Sequence, residues 1–294
     1  MKILVFGSLN IDIIFPVDHI VRPGETIGSD DLVKSAGGKG ANQAAALAKA
    51  GLEVYMAGKV GRDGRFLLDL LNSYGVNTSN VAEYDGETGQ AMIQVDRQGQ
   101  NSIVLYAGGN GRITGEEIRR TLACFDPGDI LVLQNEISRV GEIMEAAAEK
   151  GMRIYFNPSP YDQQLEELPL SRVGVFFVNE IEAAALAGLP PESSPEKILR
   201  ILTGRFPRTE IVLTAGKDGA YYGCEGMREK AGIVDVPVVD TTGAGDTFTG
   251  YFTAARCRGC SPAESLYIAC RASSIAVSRR GAMAAIPLAR EVFL

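Results

Sequence analysis

The chain has 294 residues, 46% of them hydrophobic, which is enough for one large domain with a continuous core. Its 36 acidic and 29 basic residues give a formal net charge of −7, which argues against nucleic acid or an anionic membrane as the main partner. The sequence also lacks an apolar run of about 18 residues, the length that a membrane-spanning helix needs, so no membrane partner is expected.

Most of the chain alternates between short apolar strands and helical segments. The predicted core strands are residues 2–7, 54–57, 129–133, 153–156, 173–178 and 210–213. The predicted helices are residues 41–50, 66–74, 140–150 and 181–187, and a last helix that begins at Gly243 and directly follows the last strand. Such alternation favours a single α/β domain, with a mostly parallel sheet between two layers of helices and a ligand site at the carboxyl ends of the strands.

Two insertions, at about residues 11–34 and 88–107, interrupt this alternation. The first contains short apolar pieces separated by proline and glycine, and the second reads as a hairpin that turns at residues 96–99. A small sheet that cannot bury both faces against the main core often covers a site or forms a subunit contact. We therefore predict a small β-sheet lid, the alternative being surface decoration without a function.

The sequence GGKGANQA at residues 37–44 leads into a helix through three glycines, so the backbone can approach a ligand closely. Asn42 then lies on the first helical turn. Just after the first strand, Asn10 and Asp12 alternate on one face and offer donors and acceptors to neighbouring hydroxyls. Residues 134–136, Gln-Asn-Glu, add polar groups at the end of another strand. This pattern suits a neutral polyol, although a glycine-rich turn with a structural Asn remains an alternative.

The sequence DTTGAGDTF at residues 240–248 is the most informative stretch of the chain. Gly243, Ala244 and Gly245 allow backbone N–H groups to converge at a helix start, where a phosphate can be bound. Asp246 follows at the point where a carboxylate could accept a proton from an attacking hydroxyl. The alternative is an ordinary capped helix after a glycine turn.

Two common nucleotide-binding signatures are absent from the sequence. The Gly-Lys pairs at residues 38–39, 58–59 and 216–217 are followed by Gly, Val and Asp, where a P-loop requires Ser or Thr. The first strand is not followed by the GxGxxG of dinucleotide-binding folds. Any phosphate binding therefore depends on residues 243–245.

The two glycine motifs, at residues 37–44 and 240–248, resemble the two signatures of the ribokinase-like carbohydrate kinases, the phosphofructokinase-B type. Similar residues at 7–12, 23–26, 157–160, 179–182 and 278–282 extend the resemblance over nearly the whole chain. The resemblance implies a three-layer α/β/α fold with a β lid, and ATP-dependent phosphorylation of the primary hydroxyl of a pentose, D-ribose above all. Deoxyribose, 2-keto-3-deoxygluconate and nucleosides are the alternative substrates, and a non-catalytic sugar or nucleotide sensor is the alternative class.

The resemblance also implies roles for individual residues. Asp246 would be the general base, and Gly243, Ala244 and Gly245 would form the anion hole. The residues that match sugar-binding positions are Asn10, Asp12, Gly38, Lys39, Asn42, Ala91, Ile93, Leu105 and Glu136. Those that match nucleotide-binding positions are Asn179, Thr214, Gly216, Gly219, Gly245 and Cys270.

Two metal ions follow from the same resemblance, and the exposed β lid predicts a dimer. Magnesium would accompany ATP, with Glu182 associated with it. An activating potassium ion would be held at Asp240, Thr242, Ala276, Arg279, Gly281 and Ala285. The lid would form a homodimer contact. Two departures from the family pattern are Cys270, where His or Asn is common near the adenine, and the sequence of residues 106–110.

The five cysteines are odd in number and scattered, which is not typical of an extracellular disulfide framework. Together with a first strand that no charged and apolar leader precedes, this predicts a cytoplasmic protein. Cys257 and Cys260 have the spacing of a metal or redox site, but there is no second pair, and the only histidine, His19, is distant in sequence. A zinc or redox function remains an alternative that depends on these two residues alone.

Overall fold

The structure is a computed structural model and describes residues 1–293. Its strands are β1 Ile3–Phe6, β2 Asn10–Pro16, β3 Val33–Gly37, β4 Val54–Val60, β5 Val76–Glu83, β6 Gly89–Val95, β7 Asn101–Tyr106, β8 Ile130–Gln134, β9 Arg153–Asn157, β10 Val173–Asn179, β11 Glu210–Thr214, β12 Ala220–Cys224 and β13 Met227–Ala231. Its helices are α1 Lys39–Lys49, α2 Arg65–Ser73, α3 Gly115–Leu122, α4 Val140–Glu149, α5 Glu180–Leu186, α6 Pro195–Arg205, α7 Ala244–Cys257, α8 Pro262–Val277 and α9 Ala289–Val292.

The larger sheet has nine strands in the order β13-β12-β11-β10-β9-β8-β1-β4-β5. In this order, each pair of neighbours from β11 through β10, β9, β8, β1 and β4 to β5 is parallel. The strands β12 and β13 form an antiparallel hairpin at the opposite edge from β5. The predicted mostly parallel sheet is therefore confirmed. The predicted direct step from the last core strand to the helix at Gly243 was wrong, because this hairpin lies between them.

Alternating side chains of the buried strands face two separate cores. In β1, Ile3 and Val5 pack in a cluster with residues of α1, α2, α7 and α8. Leu4 and Phe6 point to the opposite face and pack with residues of α3, α4, α5 and α6. Because the inner parallel strands are covered on both faces, they are mostly apolar, which is why their positions could be predicted from continuous apolar runs. The edge strand β5 contains polar residues at 77–80 and was not predicted. The result is the expected three-layer α/β/α arrangement.

The second sheet has four strands in the order β3-β2-β6-β7, with β2 and β6 parallel and the outer pairs antiparallel. It contains both predicted insertions, although β2 begins at Asn10 and β3 continues to Gly37, beyond the predicted limits. The lid sheet therefore leads directly into the glycine motif that precedes α1. We use the name lid sheet for these four strands.

Candidate active site

The start of α1 lies against the backbone that follows β1. Gly38 has a φ of +92°, and a Cβ atom there would lie 2.8 Å from the carbonyl oxygen of Ser8. The N–H of Ala41 donates to that same oxygen at 3.0 Å. Glycine is therefore required at this position both by its conformation and by the close contact. This packing places the first turn of α1, with Asn42 and Gln43, at the carboxyl end of the large sheet.

The start of α7 carries the second glycine motif. Gly243 is the N-cap, in the left-handed conformation with a φ of 74°. The N–H of Ala244 donates to the carbonyl of Thr241 at 3.2 Å, whereas those of Gly243 and Gly245 have no acceptor within residues 1–293. An unpaired N–H at a helix start attracts anions, so two of the three predicted anion-hole donors are available for a phosphate.

Asp246 lies where the two glycine motifs meet. Its Oδ2 accepts a hydrogen bond from the side-chain amide of Asn42, and its Oδ1 accepts one from Gln43, both at 2.9 Å. Gln134 in turn donates to Gln43 at 2.6 Å. Burial raises the pKa of Asp246, although the charge of Lys39 and the two amide hydrogen bonds oppose the increase. The site therefore contains a fixed carboxylate that is a stronger base than an ordinary aspartate.

The contact between Asp246 and Asn42 follows from a close crossing of α7 and α1. Gly250, one turn after Asp246, lies against Ala46, one turn after Asn42, and a Cβ added at Gly250 would be 2.5 Å from the Ala46 Cβ. Residues four apart share one face of a helix. The missing side chain at Gly250 therefore sets the helix separation at which the carboxylate meets the two amides.

We expect Gly250→Ala to lower both stability and turnover. The added methyl group overpacks the crossing, which costs about 1–3 kcal/mol and exceeds the gain of about 1 kcal/mol in helix propensity. Thermal unfolding and a steady-state assay measure the two effects. Gly204→Ala in α6 is the matched control, because a Cβ there has no neighbour within 4 Å. That variant should be slightly more stable and fully active, and a fully active Gly250→Ala would contradict our account of the crossing.

Glu136 and Lys39 form the charged part of the predicted sugar site. Glu136 accepts hydrogen bonds from the hydroxyl of Ser8 at 2.5 Å and from the N–H of Lys39 at 3.1 Å. The ammonium of Lys39 lies 3.7 Å from the other oxygen of Glu136. Burial works against the charge of Lys39, but Asp246, Glu136 and Glu182 together raise its pKa. Lys39 is therefore a permanent cation between the two glycine motifs.

Asp12 contributes a second carboxylate from β2 of the lid sheet. Burial, with a smaller contribution from Glu136, raises its pKa from 3.8 to about 6, while Lys39 lowers it. Its strand neighbours in register are Ala91 on β6 and, beyond that, Leu105 on β7. Because opposite residues in a sheet share a face, these side chains point the same way as Asn10 and Ile93. The five lid residues predicted to contact the sugar thus lie on one face.

Asn110 is a site residue that the sequence analysis missed. Its side-chain amide donates to Asn10 Oδ1 at 2.7 Å, and its oxygen accepts the N–H of Leu9 at 3.0 Å. Lys59, which is 7% exposed, donates to the carbonyl of Arg112 at 2.7 Å and holds the same turn in place. The pairs of Asn110 join segments 100 and 101 residues apart in sequence, and Lys59 lies 53 residues from Arg112, so no local pattern signals them.

A pocket of about 180 Å³ opens between the start of α7 and the ends of β10 and β11. Asn179, Glu182 and Thr214 line it together with residues 243–246 and Lys39. This brings together half of the predicted nucleotide-binding residues and the predicted magnesium-associated carboxylate. Gly216 and Gly219 lie in the turn after β11, outside this lining.

Cys270 is buried in the core on α8 and is only 4% exposed. Its sulfur lies 4.0 Å from the carbonyl of Ala231, and burial raises the pKa of the thiol to about 11. The residue does not line the pocket. Its predicted contact with a nucleotide stays a prediction.

Asn179 and Glu182 form a reciprocal cap at the start of α5. The N–H of Glu182 donates to Asn179 Oδ1 at 2.9 Å, and the N–H of Asn179 donates to Glu182 Oε2 at 3.1 Å. One carboxylate oxygen of Glu182 is thus used by the helix start. The side chain nevertheless lines the pocket, where its charge suits the coordination or hydration shell of a magnesium ion.

The predicted potassium site lies beside α7, around Asp240. Its Oδ1 accepts hydrogen bonds from the N–H and hydroxyl of Thr242, at 2.9 and 2.6 Å, and its Oδ2 accepts the N–H of Gly281 at 2.9 Å. Burial raises the pKa of Asp240, but these bonds outweigh it and keep the value below the ordinary one. An ionised carboxylate beside loop carbonyls fits a hard monovalent cation.

The other predicted cation ligands lie at the end of α8 and in the segment that follows it. The carbonyl of Ala276 accepts the N–H of Arg279 at 3.0 Å. The guanidinium of Arg279 donates to Glu291 at 2.6 Å. Because it is itself a cation without an acceptor atom, only the backbone carbonyl of Arg279 is suited to bind a cation. Ala285 is buried, and its N–H donates to the carbonyl of Ala282.

Outside this site, Cys257 and Cys260 are free thiols. Within residues 1–293 no three His, Cys, Asp or Glu side chains gather closely enough to hold a metal ion. None of the helices in this part of the chain is both long and apolar enough to span a membrane.

Comparison with known proteins assigns the chain and its fold to a family. Residues 1–289 match the profile of the pfkB family of carbohydrate kinases. The ribokinase of Staphylococcus aureus (strain COL) is 32% identical over 301 residues, which cover 99% of this chain and 98% of that protein. Among solved structures, ribokinase from Cryptococcus neoformans var. grubii serotype A in complex with ADP has a TM-score of 0.87 and 36% identity, covering 99% and 98% of the two chains. Arabidopsis thaliana ribokinase complexed with ribose and ATP has a TM-score of 0.88 and 29% identity, covering 99% and 97%.

Proposed function

Since the chain belongs to the pfkB family of carbohydrate kinases, we propose that it transfers the γ-phosphate of ATP to the primary hydroxyl of D-ribose. The products are ribose 5-phosphate and ADP. The observation that carries this proposal is the position of Asp246, which is bonded through both oxygens to amides of the first glycine motif. A single carboxylate is thus shared by the predicted sugar and phosphate segments.

In the proposed reaction Asp246 accepts the proton of the primary hydroxyl while that oxygen forms a bond to the γ-phosphorus. The bond between this phosphorus and the bridging oxygen breaks, and ADP leaves. The raised pKa of Asp246 makes it a better proton acceptor, and the amides of Asn42 and Gln43 hold it in position. This role applies to the carboxylate in its ionised form.

The charge on the transferred phosphoryl group meets two sources of positive potential. The free N–H groups of Gly243 and Gly245 lie at the start of α7, and Lys39 lies in the same pocket. Donors that are fixed before the reaction stabilise developing charge without rearrangement. Magnesium bound with ATP would neutralise part of the phosphate charge, and Glu182, which lines the pocket, is a suitable carboxylate to be associated with it.

We further propose that a potassium ion binds at Asp240 and the carbonyls of the adjoining loops. The ionised carboxylate of Asp240 supports this proposal, because it lies three residues before Gly243, where the anion-binding segment begins. A cation there would add positive potential behind Gly243. The test is to exchange potassium for sodium in the activity assay, and equal rates in the two salts would remove the proposal.

We also propose that two chains associate through the outer hairpin of the lid sheet. Within residues 1–293, β7 is an edge strand with unpaired backbone groups, and the hairpin exposes large apolar side chains on both faces. Met92, Val104 and Tyr106 share one face, and Ile103 and Leu105 lie on the face of the predicted sugar contacts; each is at least 41% exposed. We expect Val104→Lys to convert a dimer into a monomer, measured by light scattering, whereas a wild-type chain that is already monomeric would refute the proposal.

A cytoplasmic location is the remaining part of the proposal. All five cysteines are free thiols, as expected in a reducing compartment that also supplies ATP. Fractionation of cells that produce the protein tests this location, and recovery in a secreted fraction would contradict it.

The direct test of the function is ADP release measured across a substrate panel. The panel contains ribose, deoxyribose, 2-keto-3-deoxygluconate and nucleosides, each with ATP, magnesium and potassium. Ribose should give the highest kcat/KM, because each hydroxyl lost leaves buried polar groups of the site without a partner. Preference for another substrate would change the assigned sugar, and binding of sugar without any turnover would favour the non-catalytic sensor.

A further inference from the structure

Residues 281–287, which we call the C-terminal loop, form the support behind the predicted anion hole. A Cβ added at Gly243 would lie 3.3 Å from Ala282 Cα, so this loop packs directly against the N-cap of α7. The loop is fixed to Asp240 through the N–H of Gly281, and the hydroxyl of Tyr251 donates to the carbonyl of Pro287 at 2.6 Å. The position of the C-terminal loop therefore influences the orientation of the backbone N–H groups that follow Gly243.

The third fastening of this loop is an ammonium group from α1. Lys49 Nζ donates to the carbonyl of Met283 at 2.6 Å and to that of Ile286 at 3.1 Å. The same nitrogen lies 4.3 Å from the centroid of the Tyr74 ring. Two carbonyls and an aromatic face enclose the cation, and both carbonyl residues are at most 3% exposed. These contacts join residues that are 234 and 237 positions apart in the sequence.

Lys49 and the residues that hold Asp246 belong to one helix. Asn42 and Gln43 lie in the first turn of α1 and bond to the carboxylate, and Lys49 is in the last turn and bonds to the loop. α1 thus connects the base to the support of the anion hole. Asp246 directly follows Gly245 on α7, so both ends of α1 act on α7: Asn42 and Gln43 orient the carboxylate, and Lys49 holds the loop that supports the N-cap.

We propose that Lys49 is a positioning residue for phosphoryl transfer, a tethered cation that holds the C-terminal loop against α1 and so keeps the N-cap of α7 in register with the α1 side chains that bind the Asp246 carboxylate. The inference rests on the proposed kinase function. It assigns Lys49 no contact with sugar or nucleotide. Its loss should therefore lower kcat and leave the KM for ribose unchanged.

The test is Lys49→Met, which keeps the length and the packing on Tyr74 but removes the donors. We expect kcat to fall at least about tenfold, because small displacements of reacting groups have large effects on rate, while the KM for ribose stays within about twofold. Hydrogen–deuterium exchange of residues 281–287 in the ligand-free variant should become faster. Lys49→Arg, which can donate to both carbonyls, should restore most of the turnover.

Two controls separate positioning from general stability. Lys150→Met makes the same change at the end of α4, where the ammonium has no hydrogen-bond or ion-pair partner within residues 1–293, and it should behave as wild type. Ile143→Val removes one methyl group from the opposite core, where Ile143 is 0% exposed, and gives a destabilised protein with normal kcat. If the wild type is active and Lys49→Met is equally active, the inference about Lys49 is overturned but the kinase function is not. The same holds if Lys49→Met loses turnover and Lys49→Arg does not restore it. Absence of turnover in the wild type would instead overturn the kinase function.

Discussion

Replacing Asp246 by Asn should lower kcat by about 10²- to 10⁴-fold, the range for loss of a general base, and leave ribose binding nearly unchanged. An amide has almost the same shape as the carboxylate but cannot accept the proton of the sugar hydroxyl at neutral pH. Its oxygen can still accept one of the two hydrogen bonds from Asn42 and Gln43. Steady-state kinetics with ribose and calorimetric titration of the sugar measure the two quantities.

The control for this variant is Asp69→Asn on α2, where the side chain is 64% exposed. It should retain full activity. Both variants should keep the unfolding temperature of the wild type closely, because Asp246→Asn removes a buried charge while leaving one amide without its acceptor. If Asp246→Asn turned over ribose at the wild-type rate, the carboxylate would not be the base and the proposed mechanism would fail.

The parts of the fold that could be predicted are those with a local signal. Continuous apolar runs identified the inner parallel strands, since burial on both faces leaves few polar positions in them. The edge strand β5 was missed, because residues 77–80 are polar and give no apolar run. The hairpin of β12 and β13 was missed because it turns at Glu225 and Gly226, with φ values of 47° and 85°, and Glu is not one of the residues that mark such a turn. α8 was also missed, although Ser261, Pro262 and Glu264 form a typical helix start.

The site was predicted to the extent that it is contained in two contiguous motifs. Asn42 and Asp246 were identified from their positions after glycines, and the structure brings them into contact. Gln43 and Asn110 received no role, and Gln134 was placed among the polar groups of the site without its partner Gln43, since each acts on a segment at least 91 residues away in sequence. Such pairings arise from tertiary packing, above all from the crossing of α1 and α7, which the sequence pattern of either helix does not reveal.

The affinity for ribose should decrease as the pH falls below about 6, because Asp12 has a pKa of about 6. The ionised carboxylate can accept hydrogen bonds from two neighbouring hydroxyls, and protonation removes part of that capacity. For an ordinary aspartate, with a pKa near 3.8, the affinity would be lost only near that pH. Because burial raises the pKa of Asp12, we expect the loss at a higher pH. Calorimetric titration of ribose between pH 5 and pH 8 should show at most about a tenfold loss per pH unit, as for a single group.

Asp12→Asn separates this group from Asp246. Loss of charged hydrogen bonds should weaken ribose binding by about 10- to 100-fold at neutral pH and remove the dependence on pH, while Asp30→Asn at an exposed lid position should change neither. The effect on stability has the opposite sign. A folded-state pKa above the unfolded value means that ionised Asp12 destabilises the sugar-free fold above pH 6, so Asp12→Asn should unfold at a higher temperature than wild type at pH 7.5. Weaker ribose binding together with a higher unfolding temperature would show that the Asp12 carboxylate serves binding and not stability. A variant with both weaker binding and a lower unfolding temperature would instead mark Asp12 as a structural residue of β2.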